Sequence, residues 1–157
     1  MSTDLSKIKL LVRREIEAQI AGPLINGFIK EFGKDSSLKV VREVIKSLAR
    51  ESGANLAEIC DGNSLEDFFY VISFWSQDDA LRFDILEKTP SKLSMDVKKC
   101  RFAEMYRESG LIELGYELSC SRDFALVEGF NSKIKLTRTQ TIMEGADFCD
   151  FRFAFEG

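Results

Sequence analysis

The chain has 157 residues, of which 45% are hydrophobic and 31% are charged, a composition typical of a folded domain and not of a disordered segment. Its 22 basic and 26 acidic residues give a net charge of -4, so it has no basic excess with which to bind a nucleic-acid backbone. The absence of histidine excludes Ser-His-Asp and Cys-His catalytic sites, histidine-based zinc sites and haem bound by a proximal histidine. Acid–base chemistry therefore falls to carboxylates, thiols, lysine, tyrosine or the ligand itself.

Residues 1–78 have the periodicity of helices. Apolar residues recur every three or four positions behind a Ser2-Thr3-Asp4 capping cluster, which predicts three successive helices. These helices are predicted to end at glycine or proline positions: Gly22-Pro23, Gly33 and Gly53. The stripe of the third helix, which includes Val44 and Leu48, is predicted to face inward.

A fourth helix is predicted in a run that could also form a strand. The run FFYVISFW at 68–75 has high strand propensity. Ser64 and Asp67 have the spacing of a capping box, and the apolar residues after them recur at helical intervals. The cap and the spacing favour a helix.

Residues 79–157 begin and end with strand patterns. Alternation at 81–85 and 93–97, on either side of the turn Thr89-Pro90-Ser91, predicts a β-hairpin. Helical periodicity resumes at Cys100. A second hairpin then follows, and its last strand alternates phenylalanine with polar residues.

The order of helices, hairpin, helices and hairpin predicts an α+β fold. We expect N-terminal helices packed with a roughly four-stranded antiparallel sheet, made of two hairpins separated by helices. No linker or repeat interrupts the pattern, so residues 1–157 are predicted to form a single domain. Its mainly helical part is 1–78, and the part that carries the candidate site is 79–157.

The cellular setting follows from the N-terminus, the apolar runs and the cysteines. Residues 1–19 lack the apolar core of a signal peptide, and the longest apolar run is too short to span a bilayer. Four cysteines without a secretory signal indicate free thiols in a reducing compartment. We therefore expect a cytoplasmic protein that contacts neither membranes nor nucleic acid.

Thiols and carboxylates recur together in the C-terminal third. Cys100 and Glu104 are four residues apart on one predicted helix, and Cys120 and Asp123 are three apart. A place in the first turn of a helix is expected to lower the pKa of Cys100. Glu104 and Asp123 are the candidate general acid and base. For any single cysteine, simple burial as a small apolar side chain is the more common role.

Three of the cysteines raise the question of a metal. Cys100, Cys120 and Cys149, with a carboxylate, have ligand types that suit zinc. No CxxC pair is present, and the intervals of 19 and 28 residues match no local zinc motif. We therefore predict no cofactor, and a divalent metal at these three residues stays the alternative.

The segment Leu-Thr-Arg-Thr-Gln-Thr at 136–141 is unusually polar for a predicted strand. Alternation places Thr137, Thr139 and Thr141 on one face and Arg138 on the other. A guanidinium beside hydroxyls suits a small carboxylate ligand. A threonine-rich face turned to solvent is the alternative interpretation.

The C-terminal motifs, taken together, resemble a known family. They are C-R-F-A-E at 100–104, E-L-G at 113–115, S-C-S-R-D at 119–123, T-R-T-Q-T at 137–141 and E-G-A-D-F-C-D-F-R-F at 144–153. The set resembles the L-2-amino-thiazoline-4-carboxylic acid hydrolase family over about residues 80–155. That resemblance implies a hydrolase that opens the ring of L-2-amino-thiazoline-4-carboxylate and gives N-carbamoyl-L-cysteine.

The resemblance also implies roles for individual residues. The nucleophile or ligand would be Cys100, Cys120 or Cys149. Glu104 and Asp123 would transfer protons. Arg138 would bind the substrate carboxylate, helped by Thr139 and Thr141.

A second resemblance supports a different class of function. The same layout, which ends in a G-x3-C-x-F element, looks like the 4-vinyl-reductase-type ligand-binding domains, which share an α+β fold with haem–nitric-oxide sensors and a vesicle-tethering subunit. This implies a non-enzymatic small-molecule or metal-binding sensory module. A dimeric scaffold whose pocket holds a lipid or nothing is the third hypothesis. The expected partners are a small-molecule substrate or ligand, with a homodimer left open.

Overall fold

The computed structural model describes residues 7–157. Its helices are α1 (Leu10–Phe32), α2 (Lys34–Cys60), α3 (Leu65–Trp75), α4 (Arg101–Glu108), α5 (Ile112–Gly115) and α6 (Arg122–Phe130). Its strands are β1 (Leu81–Lys88), β2 (Lys92–Cys100), β3 (Ile134–Thr137) and β4 (Cys149–Phe155). Single turns complete the path: a 3-10 turn at Gln77–Asp79, a π-helical turn at Tyr116–Cys120 and a 3-10 turn at Ile142–Glu144. The expected cap at residues 2–4 lies outside the described residues.

The strands form one antiparallel sheet in the order β1-β2-β4-β3. The two hairpins meet where β2 pairs with β4, with Met95 opposite Phe151. The helices α4 to α6 separate the hairpins in the chain. The predicted α+β class and the predicted four-stranded antiparallel sheet are confirmed.

One face of the sheet carries the core. Burial alternates along β4, as the phenylalanine pattern predicted, and the buried face packs on α3 and α6. The ring of Phe68 on α3 lies 5.3 Å from the ring of Phe153 and 5.1 Å from that of Phe130. α3 begins with the predicted capping box between Ser64 and Asp67, which confirms a helix there.

The first predicted helix boundary is wrong, because α1 continues through Gly22-Pro23 to Phe32. Proline removes one backbone donor and costs roughly 3 kcal/mol inside a helix. Pro23 points to solvent, while the buried Gly22 lies against the side chain of Leu111. The packing of the helical turns on either side of Pro23 therefore outweighs the free-energy cost of the proline.

The predicted end of the third helix at Gly53 is also wrong. Gly53 lies inside α2, where a Cβ atom would be 2.0 Å from the carbonyl oxygen of Leu126 on α6. Gly129 on α6 is its counterpart, because a Cβ atom there would be 2.0 Å from the carbonyl oxygen of Arg50. Both glycines therefore allow two helix backbones to touch, and α2 ends instead at Cys60.

The apolar stripes of α1 and α2 only partly face the core. On α2 the exposed fractions of Val44 and Leu48 are 51% and 48%, so the expectation that they face inward is wrong. The small residues Ala18 and Ala49 are buried instead. Across residues 7–157, no helix combines the length and the apolar character that crossing a membrane requires.

Candidate functional site

Cys100 lies at the junction where β2 ends and α4 begins. Its thiol is largely buried, and burial raises its pKa to about 11, although the N–H groups of Ala103 and Phe102 lower it. The helix end thus acts in the expected direction but is outweighed by the loss of hydration. The expectation of a lowered pKa at Cys100 is wrong for this reason.

Cys120 and Cys149 reach the same region from other elements. Cys120 closes the π-helical turn, and Cys149 opens β4, where its Sγ accepts a hydrogen bond from the Ile142 N–H over 3.2 Å. Burial raises the pKa of both thiols. Ionisation of Cys149 would raise the pKa of Cys100 and of Cys120, and ionisation of Cys100 would raise that of Cys120, so the three residues lie in one region of the fold; we call them the thiol cluster.

A buried ion pair joins α6 to the segment after β3. Arg138 Nη1 donates a hydrogen bond to Asp123 Oδ2 over 2.5 Å, and Nη2 donates to the carbonyl oxygen of Cys120 over 3.0 Å. The guanidinium lies over the rings of Phe124 and Phe151, at 5.1 and 4.9 Å from their centroids. The Arg138 side chain is only 2% exposed, and Asp123 neutralises its charge.

Asp123 is a carboxylate whose charge acts on the thiols. Burial raises the pKa of its carboxyl group, and the charge of Arg138 acts in the opposite direction without cancelling the effect of burial. The charge of Asp123 in turn raises the pKa of Cys100 and of Cys120. A buried carboxyl with a raised pKa beside thiols is a group that can accept and return a proton.

The polar segment at 136–141 is not a strand throughout. β3 ends at Thr137, because the Asp150 carboxylate accepts hydrogen bonds from the N–H groups of Thr139 and Gln140, both over 2.9 Å. The Thr139 hydroxyl donates to the same carboxylate over 2.6 Å. This side-chain pairing replaces the strand hydrogen bonds that the sequence pattern predicted.

Thr141 and Glu104 lie apart from the ion pair. Thr141 is buried, and its hydroxyl donates to Glu144 Oε2 over 2.8 Å. Glu104 is exposed on α4 and forms no hydrogen bond or ion pair with any residue in the range 7–157. The fold therefore brings together the thiols, Asp123 and Arg138 out of the candidate residues.

The thiol cluster does not have the geometry of a metal site. Within the described part of the chain, no group of three or more cysteine, aspartate or glutamate side chains is placed to share one ion.

A second feature of this region was not foreseen from the sequence. A cavity of about 640 Å³ lies between α1 and α2 and reaches α4 and α6. Its apolar lining includes Leu24, Phe28, Val40, Val41, Val44, Leu48 and Leu118. Its polar lining consists of Glu17, Ser36, Ser37, Tyr106 and Arg122. We call it the α1–α2 cavity.

Most of the chain, including α2 and nearly all of α1, matches a known family. A family model described as L-2-amino-thiazoline-4-carboxylic acid hydrolase matches residues 13–153. The chain belongs to this hydrolase family. The match extends well beyond the C-terminal motifs that carried the resemblance. A comparison with curated protein sequences found no match.

Solved structures place this hydrolase-family member in a fold shared by very different sequences. The trafficking protein particle complex subunit 3 from Naegleria fowleri, solved covalently bound to palmitic acid, has a TM-score of 0.55 at 10% identity, over 93% of this chain and 96% of that chain. The phenol-responsive sensory domain of the transcription activator PoxR, solved with phenol, has a TM-score of 0.56 at 11% identity, over 93% and 76%. These identities show a common fold alone.

Sequence patterns did not single out every group near the site in this hydrolase-family member. Ser37, Tyr106 and Arg122 lie within predicted helices whose periodicity marks them only as helical. They become adjacent because α2, α4 and α6 converge on one cavity. The one signal that could have indicated the cavity is the excess of large apolar residues on α1 and α2.

Proposed function

We propose that this protein hydrolyses L-2-amino-thiazoline-4-carboxylate to N-carbamoyl-L-cysteine at the thiol cluster and Asp123. The observation that carries the proposal is the convergence of three thiols and a buried carboxylate of raised pKa in a member of this hydrolase family. Without histidine, hydrolysis needs another group that accepts and returns a proton, and a carboxyl whose pKa is raised by burial is suited to that role.

The proposed reaction consumes one water and no other reactant. The water oxygen bonds to the amidine carbon of the ring, and the bond between that carbon and the ring sulfur breaks. One proton of the water passes to Asp123 and then to the departing sulfur, which becomes the product thiol. The second proton of the water passes from the added oxygen to the ring nitrogen, whose double bond to the amidine carbon becomes a single bond as the carbonyl forms. The amidine thus becomes the urea group of N-carbamoyl-L-cysteine, and atoms and charge balance.

Water is a better candidate for the attacking group than a cysteine thiolate. With the pKa of Cys100 raised to about 11, only about one thiol in ten thousand is ionised at pH 7. Burial raises the pKa of Cys120 and Cys149 as well. Neutral thiols are weak nucleophiles but can donate hydrogen bonds to the departing sulfur.

The ion pair suggests how the substrate carboxylate binds. Arg138 is the buried cation of the site, and Asp123 already neutralises it. A substrate carboxylate that takes the place of Asp123 at this guanidinium would leave Asp123 free to accept the proton from water. Thr139 and Thr141, whose hydroxyls bind Asp150 and Glu144, would then act by positioning the Arg138 segment.

The test is turnover of L-2-amino-thiazoline-4-carboxylate by the purified chain, followed by mass spectrometry of N-carbamoyl-L-cysteine. We expect Asp123→Asn to reduce kcat at least a hundredfold and Cys→Ala changes in the thiol cluster to reduce it at least tenfold. Glu104→Gln is expected to have a smaller effect than Asp123→Asn, because Glu104 is exposed.

Cys60→Ala is the matched control, since this thiol lies at the end of α2, outside the thiol cluster. Circular dichroism verifies that each variant is folded. Full activity in folded Asp123→Asn and in all three cluster variants would show that the reaction takes place elsewhere. No turnover by the wild-type chain would overturn the proposal.

Ligand binding without turnover is the second candidate function. The α1–α2 cavity favours it, since its volume of about 640 Å³ lies in the range of small-molecule sites. The two structural neighbours were solved with small molecules, palmitic acid and phenol. A chain that binds a ligand in this cavity but releases no N-carbamoyl-L-cysteine would have this function.

A further inference from the structure

The α1–α2 cavity has an apolar mouth that the described residues leave uncovered. The exposed fractions of Leu24, Phe28 and Val44 are 55%, 50% and 51%, and all three side chains line the cavity. Exposure of several large apolar side chains in one concave surface is unfavourable in water, so a molecule that covers them is stabilised there. The occupant therefore has a substantial apolar part.

The inner wall of the cavity carries a polar group without a partner in the described part of the chain. Ser37 is 7% exposed, and its hydroxyl is buried without a hydrogen-bond partner among residues 7–157. Tyr106, 1% exposed, also lines the cavity. A buried hydroxyl without a partner costs roughly 1–3 kcal/mol, so a native structure rarely leaves one unless a ligand or water satisfies it.

Arg122 supplies a cation to the same wall. Its guanidinium forms no hydrogen bond or ion pair with any residue that the structure describes. Burial, together with the charge of Arg14, lowers the pKa of Arg122 to about 10. The nearby carboxylate of Glu17 is bound instead to Arg14 over 2.6 Å. The charges of Glu17 and Asp123 favour the cation, but Arg122 remains a half-buried guanidinium without a hydrogen-bonded anion among the described residues.

We propose that the α1–α2 cavity binds an amphiphilic monocarboxylate, with its carboxylate on Arg122, Tyr106 and Ser37 and its hydrocarbon part along the apolar faces of α1 and α2. One guanidinium and two hydroxyls offer donors that match a single carboxylate. Glu17 at the same cavity disfavours anions of higher charge. The proposal deepens the second candidate function and does not depend on hydrolysis at the thiol cluster.

The test is isothermal titration of the full chain with decanoate and with decanol, both below their aggregation limits. The two probes have the same hydrocarbon length and differ in the charged group. We expect decanoate to bind at least tenfold more tightly than decanol. Arg122→Gln should weaken decanoate binding at least tenfold and leave decanol binding unchanged.

Two further variants keep the result interpretable. Arg50→Gln is the matched control, since Arg50 is an exposed arginine on α2 that pairs with Glu128 outside the cavity, and it should leave both affinities unchanged. Ala21→Trp should fill the cavity and abolish both, with thermal unfolding verifying that the chain is folded.

Equal affinities for decanoate and decanol, or unchanged decanoate binding in Arg122→Gln, would overturn the proposal. A stable dimer that excludes decanoate would also overturn it, because a second copy would then be the occupant. Failure of decanoate binding leaves the hydrolysis assay unaffected, so the two proposals fail separately.

Discussion

Asp123 and Arg138 form the buried ion pair on which the candidate site is built. Removing one partner of such a pair leaves an uncompensated charge in the interior and costs roughly 3–5 kcal/mol. We expect Asp123→Leu to lower the free energy of unfolding by about 3 kcal/mol. The double variant Asp123→Leu/Arg138→Met should recover most of that loss, as urea denaturation of the four proteins would measure. Additive losses in the double variant would contradict the coupling of the two charges.

Because its thiols are buried, the stability of the folded protein is expected to depend on pH in the alkaline range. The pKa of Cys100 is about 11 in the folded protein, against 9.0 for a free thiol. A raised pKa contributes stability that is complete below pH 9 and is lost as pH rises toward 11. For Cys100 the loss is about 2–3 kcal/mol, so urea denaturation should show the free energy of unfolding falling across this window. Cys100→Ala should flatten the curve, and a slope unchanged from that of Cys60→Ala would contradict the prediction.

At the level of single residues, the sequence predicted the chemical groups better than their environment. The cysteines, Asp123 and Arg138 were found because motifs and residue types mark them. The direction of the Cys100 pKa was missed, since the helix end is visible in the sequence and the depth of burial is not. Ser37 and Arg122 were missed for the same reason, because only the packing of distant helices makes them neighbours.

The crossing of α2 and α6 depends on two glycines. A methyl group at Gly53 would overlap the backbone of Leu126 and Phe130, neither of which can move as a flexible side chain does. We expect Gly53→Ala to lower the free energy of unfolding by at least 2 kcal/mol, despite the better helix propensity of alanine. Thermal and urea unfolding would measure this loss.

Gly27→Ala is the matched control for this crossing. Gly27 also lies inside a helix, α1, but a Cβ atom there would meet nothing within 4 Å. The substitution should therefore be neutral or stabilise by up to about 1 kcal/mol. Equal stability of Gly53→Ala and Gly27→Ala would show that α2 and α6 can separate without cost.

At the level of elements, the sequence predicted correctly those helices and strands that are determined by residues close together in the chain. The alternation in β2 and β4 and the capping box of α3 depend on neighbouring residues, and both predictions are confirmed. Gly22-Pro23 and Gly53 were misjudged as helix ends, because their role is set by Leu111 and by α6, far away in the chain. A glycine that ends a helix and one that lets two helices touch look alike in a sequence.

At the level of the whole molecule, the outer face of α1 is relevant to the oligomeric state. Val12, Ile16 and Ile20 recur every fourth residue with exposed fractions of 44%, 52% and 64%, and none of them lines the α1–α2 cavity. We expect this stripe to support self-association, because two such helices can pair along it. Light scattering after size exclusion should show a concentration-dependent dimer that Ile16→Lys/Ile20→Lys converts to a monomer. A wild-type monomer at all concentrations would contradict this prediction.

The order of the sheet has a consequence for synthesis of the chain on the ribosome. β4 lies between β2 and β3, yet it is the last of the four strands to be translated. Until it emerges, the core side chains Leu93, Met95 and Val97 of β2 have no neighbouring strand on that side. A nascent chain that stalls before Cys149 thus exposes an unpaired strand edge and an uncovered apolar face, both of which favour aggregation. We therefore expect the need for chaperones to be greatest before β4 is available to pair with β2.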